Sequence, residues 1–137
     1  MEEAVAGESC PVTVHLMGNA HIDLVYRWRW SETVERLAPE TFASVLELLA
    51  KEPDFTFVQS QLCLYEAMEQ HQPELFRRMR EAVAGGRWAV VGCWCEYDHM
   101  LTGEEAIVRQ YLLATQYMRR AGLGERIFID WCPDAFS

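Results

Sequence analysis

"GNAHIDLVYRWRWSET", residues 18–33, decides how this chain is read. A histidine and an aspartate two positions apart follow an apolar, strand-like run, and aromatics alternating with arginines follow them. In an extended segment, positions i and i+2 share a face, so His21 and Asp23 can converge on one ion. An imidazole nitrogen beside carboxylate oxygens suits zinc or a similar divalent cation. The plainer alternative is a histidine satisfied by a neighbouring acid, with Asp23 capping the segment beyond it.

Outward from that stretch, the pattern reads as alternating strands and helices. "VTVHLMG" (12–18) alternates like a first strand, with His15 expected to be packed inside it. From Glu32 to Lys51, apolar Val34, Leu37, Phe42, Val45, Leu46, Leu48 and Leu49 recur largely at helical spacing, with Pro39 expected to break or kink the helix near its start. "FTFVQS" (55–60) is a second strand. Two helices follow, around 62–70 and from Pro73 to Val83, where Pro73 suits a first helical position and Gly85-Gly86 a stop. "RWAVVGCW" (87–94) is a third strand. A long amphipathic helix starts near Thr102 and ends before Gly122, and "RIFIDW" (126–131) is a fourth strand.

That order implies parallel β/α units, whose right-handed crossovers put every strand's C-terminal end at one edge of the sheet. Ligands bind at that edge in open sheets and barrels alike. Polar groups follow all four expected strands: His21 and Asp23, then Gln59-Ser60-Gln61, then Glu96, Asp98 and His99, then Asp134. Pro133 stiffens the chain before Asp134, whose alternative role is an Asx-turn or helix cap. His99 is expected to serve its loop, and His71, between helices, to be solvated.

The 137 residues suit one modest domain or a piece of a larger one, and at 50% hydrophobic they can form a packed core. A net charge of −9 argues against nucleic acid as partner. No apolar run reaches the roughly 18 residues that span a bilayer, so no membrane partner is expected. Residues 1–10, "MEEAVAGESC", read as a loose acidic tail without a signal peptide's basic and apolar regions. The 5 cysteines are odd in number and irregularly spaced. Free thiols in a reducing, cytoplasmic setting are the expectation. Cys93 and Cys95 could be zinc ligands, but alternate positions on a strand explain them too.

"GNAHIDLVYRWRWSET" resembles the opening zinc motif of glycoside hydrolase family 38, the α-mannosidases, and most of all their cytosolic and bacterial branch. The likeness continues through "TFASVLELLAKEPDFTFVQSQLCLYE", "PELFRRMREAVAGGRWAVVGCWCEYD", "GEEAIVRQYLLATQYM" and "WCPDAFS", covering about residue 12 to the end. It implies an α/β catalytic domain, residues 11–137 forming part of an irregular (β/α)7-type barrel truncated after about the fourth strand. It further implies a zinc ion (or another divalent ion such as Co2+) and a retaining mechanism acting on mannose-containing oligosaccharides. His21 and Asp23 match the first two zinc ligands. Asp134 matches the aspartate that ligates zinc and attacks the anomeric carbon. Tyr26 stands where the family usually has a tryptophan stacked on mannose, and Phe136 where a second aromatic touches the sugar.

The sequence departs from the family pattern in four places: Tyr26 replaces tryptophan, "EYDHM" replaces an "EPDCN"-like segment, Glu105 replaces a serine, and Ser137 replaces a glycine. In the family, the remaining zinc histidine, the general acid and the other strands lie downstream of Asp134, so the chain alone is expected to be inactive. Two other readings are a non-catalytic product or weak metal or sugar binder, and a metal-dependent carbohydrate deacetylase in which Asp134 acts as a base.

Overall fold

The computed structural model describes residues 12–134. The 1–10 tail, Cys10, Phe136 and Ser137 lie outside the described residues. The sheet has three parallel strands in the order β1 (Gly18–Asn19), β2 (Phe57–Gln59) and β3 (Trp88–Val90). The register pairs Gly18 with Phe57 and Phe57 with Trp88, so all three strands point the same way. Between and after them come α1 (Trp30–Glu32), a π-helical turn (Thr33–Leu37), α2 (Ala38–Lys51), α3 (Leu62–His71), α4 (Pro73–Ala84) and α5 (Glu104–Ala121). The expected parallel β/α order is therefore present.

Three expectations are corrected. The first strand is only two residues long: residues 12–17 join no ladder, Val14 and Leu16 are 74% and 88% exposed, and His15 is exposed. Alternation alone cannot make a strand where no neighbour accepts its hydrogen bonds. The fourth strand is absent as a ladder, since residues 126–131 meet the sheet through one bond, Gly92 N–H to Ile129 O at 2.9 Å. Accordingly, the described residues form an open three-stranded sheet rather than a four-stranded barrel segment. Pro39 does not break its helix. The preceding turn is widened to π geometry, with Ala38 N–H reaching Thr33 O, and it absorbs the proline that cannot donate to the turn before it.

α2, α3 and α4 pack together over the sheet because each carries an apolar stripe: Phe42, Leu46 and Leu49, then Leu62, Tyr65 and Met68, then Phe76 and Met79. Their meeting point is Trp88, whose ring lies edge-on to Phe57 at 4.8 Å and Phe42 at 5.6 Å. Aromatic rings prefer such edge contacts because ring edge and ring face carry opposite partial charge. The Trp88 N–H donates to Tyr65 OH at 2.9 Å, and that hydroxyl donates to Gln59 O at 3.2 Å. α5 adds Ala114, Tyr117 and Met118 to the same cluster.

Removing the Tyr65 hydroxyl leaves both the Trp88 N–H and the Gln59 carbonyl buried without this partner. Tyr65→Phe should cost about 1–3 kcal/mol of unfolding free energy. Urea denaturation of the two proteins measures it, and an unchanged midpoint would contradict the role of this chain of bonds.

Candidate functional site

Each strand hands over to a polar segment at its C-terminal end, and these segments meet. After β1, residues 20–29 form an irregular loop beginning Ala20-His21-Ile22-Asp23. Ile22 is buried while His21 and Asp23 face outward, so the alternation read from the sequence holds here. The aromatic and basic end of this loop is structural. The Trp28 indole N–H donates to Thr33 Oγ1 at 3.0 Å, and that buried hydroxyl donates to Leu24 O at 2.7 Å, pinning the loop to the π turn.

After β2, Gln61 adopts a left-handed conformation at φ 63° while almost fully buried. That region is disfavoured for a residue with a Cβ, and it persists only where surroundings enforce it. Gln61 is enforced from two sides. Its amide donates to Ile22 O at 2.8 Å, and its carbonyl oxygen accepts from Glu96 N–H at 3.4 Å. One side chain thus ties the β1 loop to the segment after β3.

After β3, Gly92 turns the chain at φ 75°, where an added Cβ would stand 3.0 Å from Ser60 Cβ. The next residues then cap α3: Cys93 O and Trp94 O accept from Leu62 N–H and Cys63 N–H, both at 3.1 Å. These are orphan amides of a helix whose first residue has no side-chain cap. The docking delivers Glu96 to the cleft, where Ser60 Oγ donates to one carboxylate oxygen. His21 Nδ1 meets the other at 2.6 Å. A carboxylate accepts, so Nδ1 carries the hydrogen of that bond and Nε2 faces the opposite way.

Opposite stand Asp23 and Asp134, with carboxylate oxygens 3.2 Å and 3.7 Å from Nε2. Ligand atoms of His21, Asp23 and Asp134 all lie within 4.8 Å of one another. Tetrahedral zinc, with nitrogen and oxygen bonds of about 2.0–2.2 Å, has ligand–ligand edges of about 3.3–3.6 Å. The donor types and spacings fit such an ion, with Glu96 as the partner that metal-binding histidines use on their other ring nitrogen.

The three residues singled out as metal ligands are thus brought together in a cleft of about 140 Å³, lined also by Glu96, Tyr97, Asp98, Cys132 and Pro133. Tyr26 is elsewhere on the loop, 64% exposed and edge-on to Trp28 at 6.0 Å. His71 is exposed, as expected. Cys63, Cys93, Cys95 and Cys132 are free thiols. Desolvation pushes the Cys132 thiol up to about 11, with the Asp130 charge adding to it. The Glu96–His21 pairing and the Gln61 bridge were not anticipated from sequence. The only signal pointing to them was the placement of polar groups after each strand.

Residues 11–137 match the family model described as "Glycosyl hydrolases family 38 N-terminal domain". The chain is 33% identical over 126 residues to "Alpha-mannosidase 2C1" of Homo sapiens, covering 91% of this chain and 12% of that protein. It is 31% identical over 125 residues to "Alpha-mannosidase G" of Dictyostelium discoideum, covering 90% of this chain and 11% of that protein. The chain therefore spans only about an eighth of the length of such relatives, as the 12% shows. Its fold resembles the crystal structure of a protein in the Glycosyl Hydrolase Family 38 from Enterococcus faecalis. The TM-score is 0.70 at 21% identity, over 87% of this chain and 14% of that one.

If Gln61 is the tie between the β1 loop and Glu96, Gln61→Leu should lose about 1–3 kcal/mol by leaving Ile22 O and Glu96 N–H without it. Hydrogen exchange should show the 20–24 and 95–97 amides losing protection together. Loss at only one of these segments would contradict the bridge.

Proposed function

The chain belongs to glycoside hydrolase family 38, and from that premise we propose that it carries the nucleophile and most of the metal site of an enzyme that hydrolyses terminal α-D-mannosides with retention. The observation that carries this reading is the convergence of Asp134 on His21 Nε2 and Asp23 while Glu96 holds the other nitrogen of the ring. His21, Asp23 and Asp134 would hold zinc, or another divalent ion such as Co2+. Bound there, the ion would supply positive charge that favours ionised Asp134 and a contact for sugar hydroxyls.

The chain's own groups have separable tasks. Asp134 attacks the anomeric carbon as the glycosidic bond to the leaving group breaks, and becomes a glycosyl ester that water then cleaves, releasing the sugar and restoring the carboxylate. Glu96 fixes the tautomer and orientation of His21. Both Glu96 oxygens are engaged, by His21 and by Ser60, so it is unsuited to donating a proton to the departing sugar. Asp98 lines the cleft, but one of its oxygens accepts from Met100 N–H at 2.8 Å in a local turn. The general acid is assigned to neither residue. Tyr26, exposed on the loop beyond Asp23, and Phe136 are the aromatic surfaces proposed for the apolar face of mannose, and mannose-containing oligosaccharide is the proposed substrate.

A leaving group that departs without protonation separates the nucleophile from the acid. With zinc supplied, 5-fluoro-α-mannosyl fluoride should leave one glycosyl adduct on the peptide containing Asp134, detected by mass spectrometry after digestion. Asp134→Asn should abolish the adduct and His21→Ala should reduce it about tenfold or more. An unlabelled protein, or an adduct on another carboxylate, would contradict the reading. An unlabelled protein would favour instead a hydrolase that uses Asp134 as a base on water.

A further inference from the structure

A second convergence of donor atoms lies outside the His21 cluster. We propose that His99, Asp130 and Cys132 form a separate divalent-metal site, selective for zinc-like thiophilic ions, at the rim of the cleft. The proposal requires nothing of the mannoside reading.

Geometry is the first support. Cys132 Sγ and Asp130 Oδ2 each lie 3.3 Å from His99 Nε2, and Sγ lies 3.5 Å from Asp130 Oδ1. Tetrahedral zinc bound by sulfur at about 2.3 Å, with nitrogen and oxygen at about 2.0–2.2 Å, has edges of about 3.3–3.6 Å between nitrogen and oxygen and about 3.5–3.7 Å to sulfur. The nitrogen–oxygen separation matches these edges, the sulfur–nitrogen separation is slightly shorter, and sulfur meets the other oxygen of Asp130, with one ligand atom of each residue within 4.8 Å of the other two.

The arrangement also counts against the other chemistry such residues perform. In a cysteine–histidine–aspartate nucleophile, thiol and carboxylate hydrogen-bond to opposite nitrogens of the imidazole, so that one orients the ring while the other is activated. Here both address Nε2. Convergence on a single nitrogen suits a shared ion and does not suit a relay.

The surroundings hold two of the donors in place. Asp130 Oδ1 accepts from the Tyr111 hydroxyl and from Trp131 N–H at 2.9 Å, leaving Oδ2 directed at His99. The His99 ring lies against Tyr97, with centroids 4.6 Å apart. The turn that presents His99 is closed by Asp98, whose side chain accepts from Met100 N–H and whose carbonyl accepts from Thr102 N–H at 2.9 Å. Such outer partners are characteristic of metal ligands.

The donor set selects the ion. One sulfur, one imidazole and one carboxylate suit zinc or cobalt, and disfavour the all-oxygen preference of magnesium and calcium. His99 and Asp130 are exposed, so solvent can supply a fourth ligand. Binding through sulfur releases the thiol proton to solvent. A metal here would clip the 97–99 segment to residues 130–132, two residues before Asp134, and so restrain the approach of that carboxylate.

Cobalt(II) distinguishes this site from the first, because only a sulfur ligand gives a near-ultraviolet thiolate-to-cobalt charge-transfer band and the His21 cluster has none. The full 137-residue chain is titrated with Co2+, reduced and without oxygen, with far-ultraviolet circular dichroism confirming that each variant is folded. The expected result is a band that is retained in His21→Ala and there saturates at one equivalent. The band should be absent in Cys132→Ser, and in His99→Ala its apparent affinity should fall about tenfold or more, since even outer partners are worth that much. No band in the folded chain would overturn the proposal. So would a band that survives Cys132→Ser, which would arise from another cysteine, or one lost in His21→Ala, which would place Cys132 in the first site.

Discussion

Everything at this sheet edge depends on a hydrogen bond between residues 75 positions apart, His21 Nδ1 to Glu96 at 2.6 Å. It does two things at once. It fixes which nitrogen carries the hydrogen, so Nε2 is turned toward Asp23 and Asp134. It also joins the end of β1 to the segment after β3, which the sheet alone does not connect because β2 lies between them. A histidine without that partner could turn its ring, and three donors would no longer share a focus.

Supporting that bond costs local strain that the packing must offset. A buried glutamine sits in left-handed backbone and Gly92 turns at positive φ. Residues in such conformations cost on the order of 1–3 kcal/mol where a Cβ is present. The offset comes from the aromatic cluster around Trp88 and from the pairing of α3's first amides with Cys93 O and Trp94 O. Core and site are therefore not independent: the carbonyls that complete α3 belong to the residues that bring Glu96 into the cleft.

The parts legible in the sequence were those whose signal is local. Helices α2 to α5 follow from apolar periodicity, and Pro73 and Gly122 sit where a helix start and stop require them. His21, Asp23 and Asp134 were singled out from their places after apolar runs. His21 and Asp23 do follow a strand of the sheet, whereas Asp134 follows residues that form no ladder, so its place beside them was not derivable from a shared strand edge. The strands at both ends were misread for one reason. Residues 12–17 and 126–131 have strand-like composition, but a strand exists only where another supplies its ladder. The π turn that tolerates Pro39 leaves no propensity signature. Neither does Gln61, because nothing in a glutamine announces left-handed backbone. Glu96 was visible as a carboxylate at the right edge, but its partnership with His21 depends on the turn at Gly92 and on the docking of α3.

Zinc-edge anomalous diffraction from crystals of the zinc-loaded chain tests the shared focus most directly. A peak should stand about 2.0–2.2 Å from His21 Nε2 and from carboxylate oxygens of Asp23 and Asp134, with Glu96 still on Nδ1. Zinc bound through His21 Nδ1 with Glu96 displaced, or no zinc between these three side chains, would contradict it.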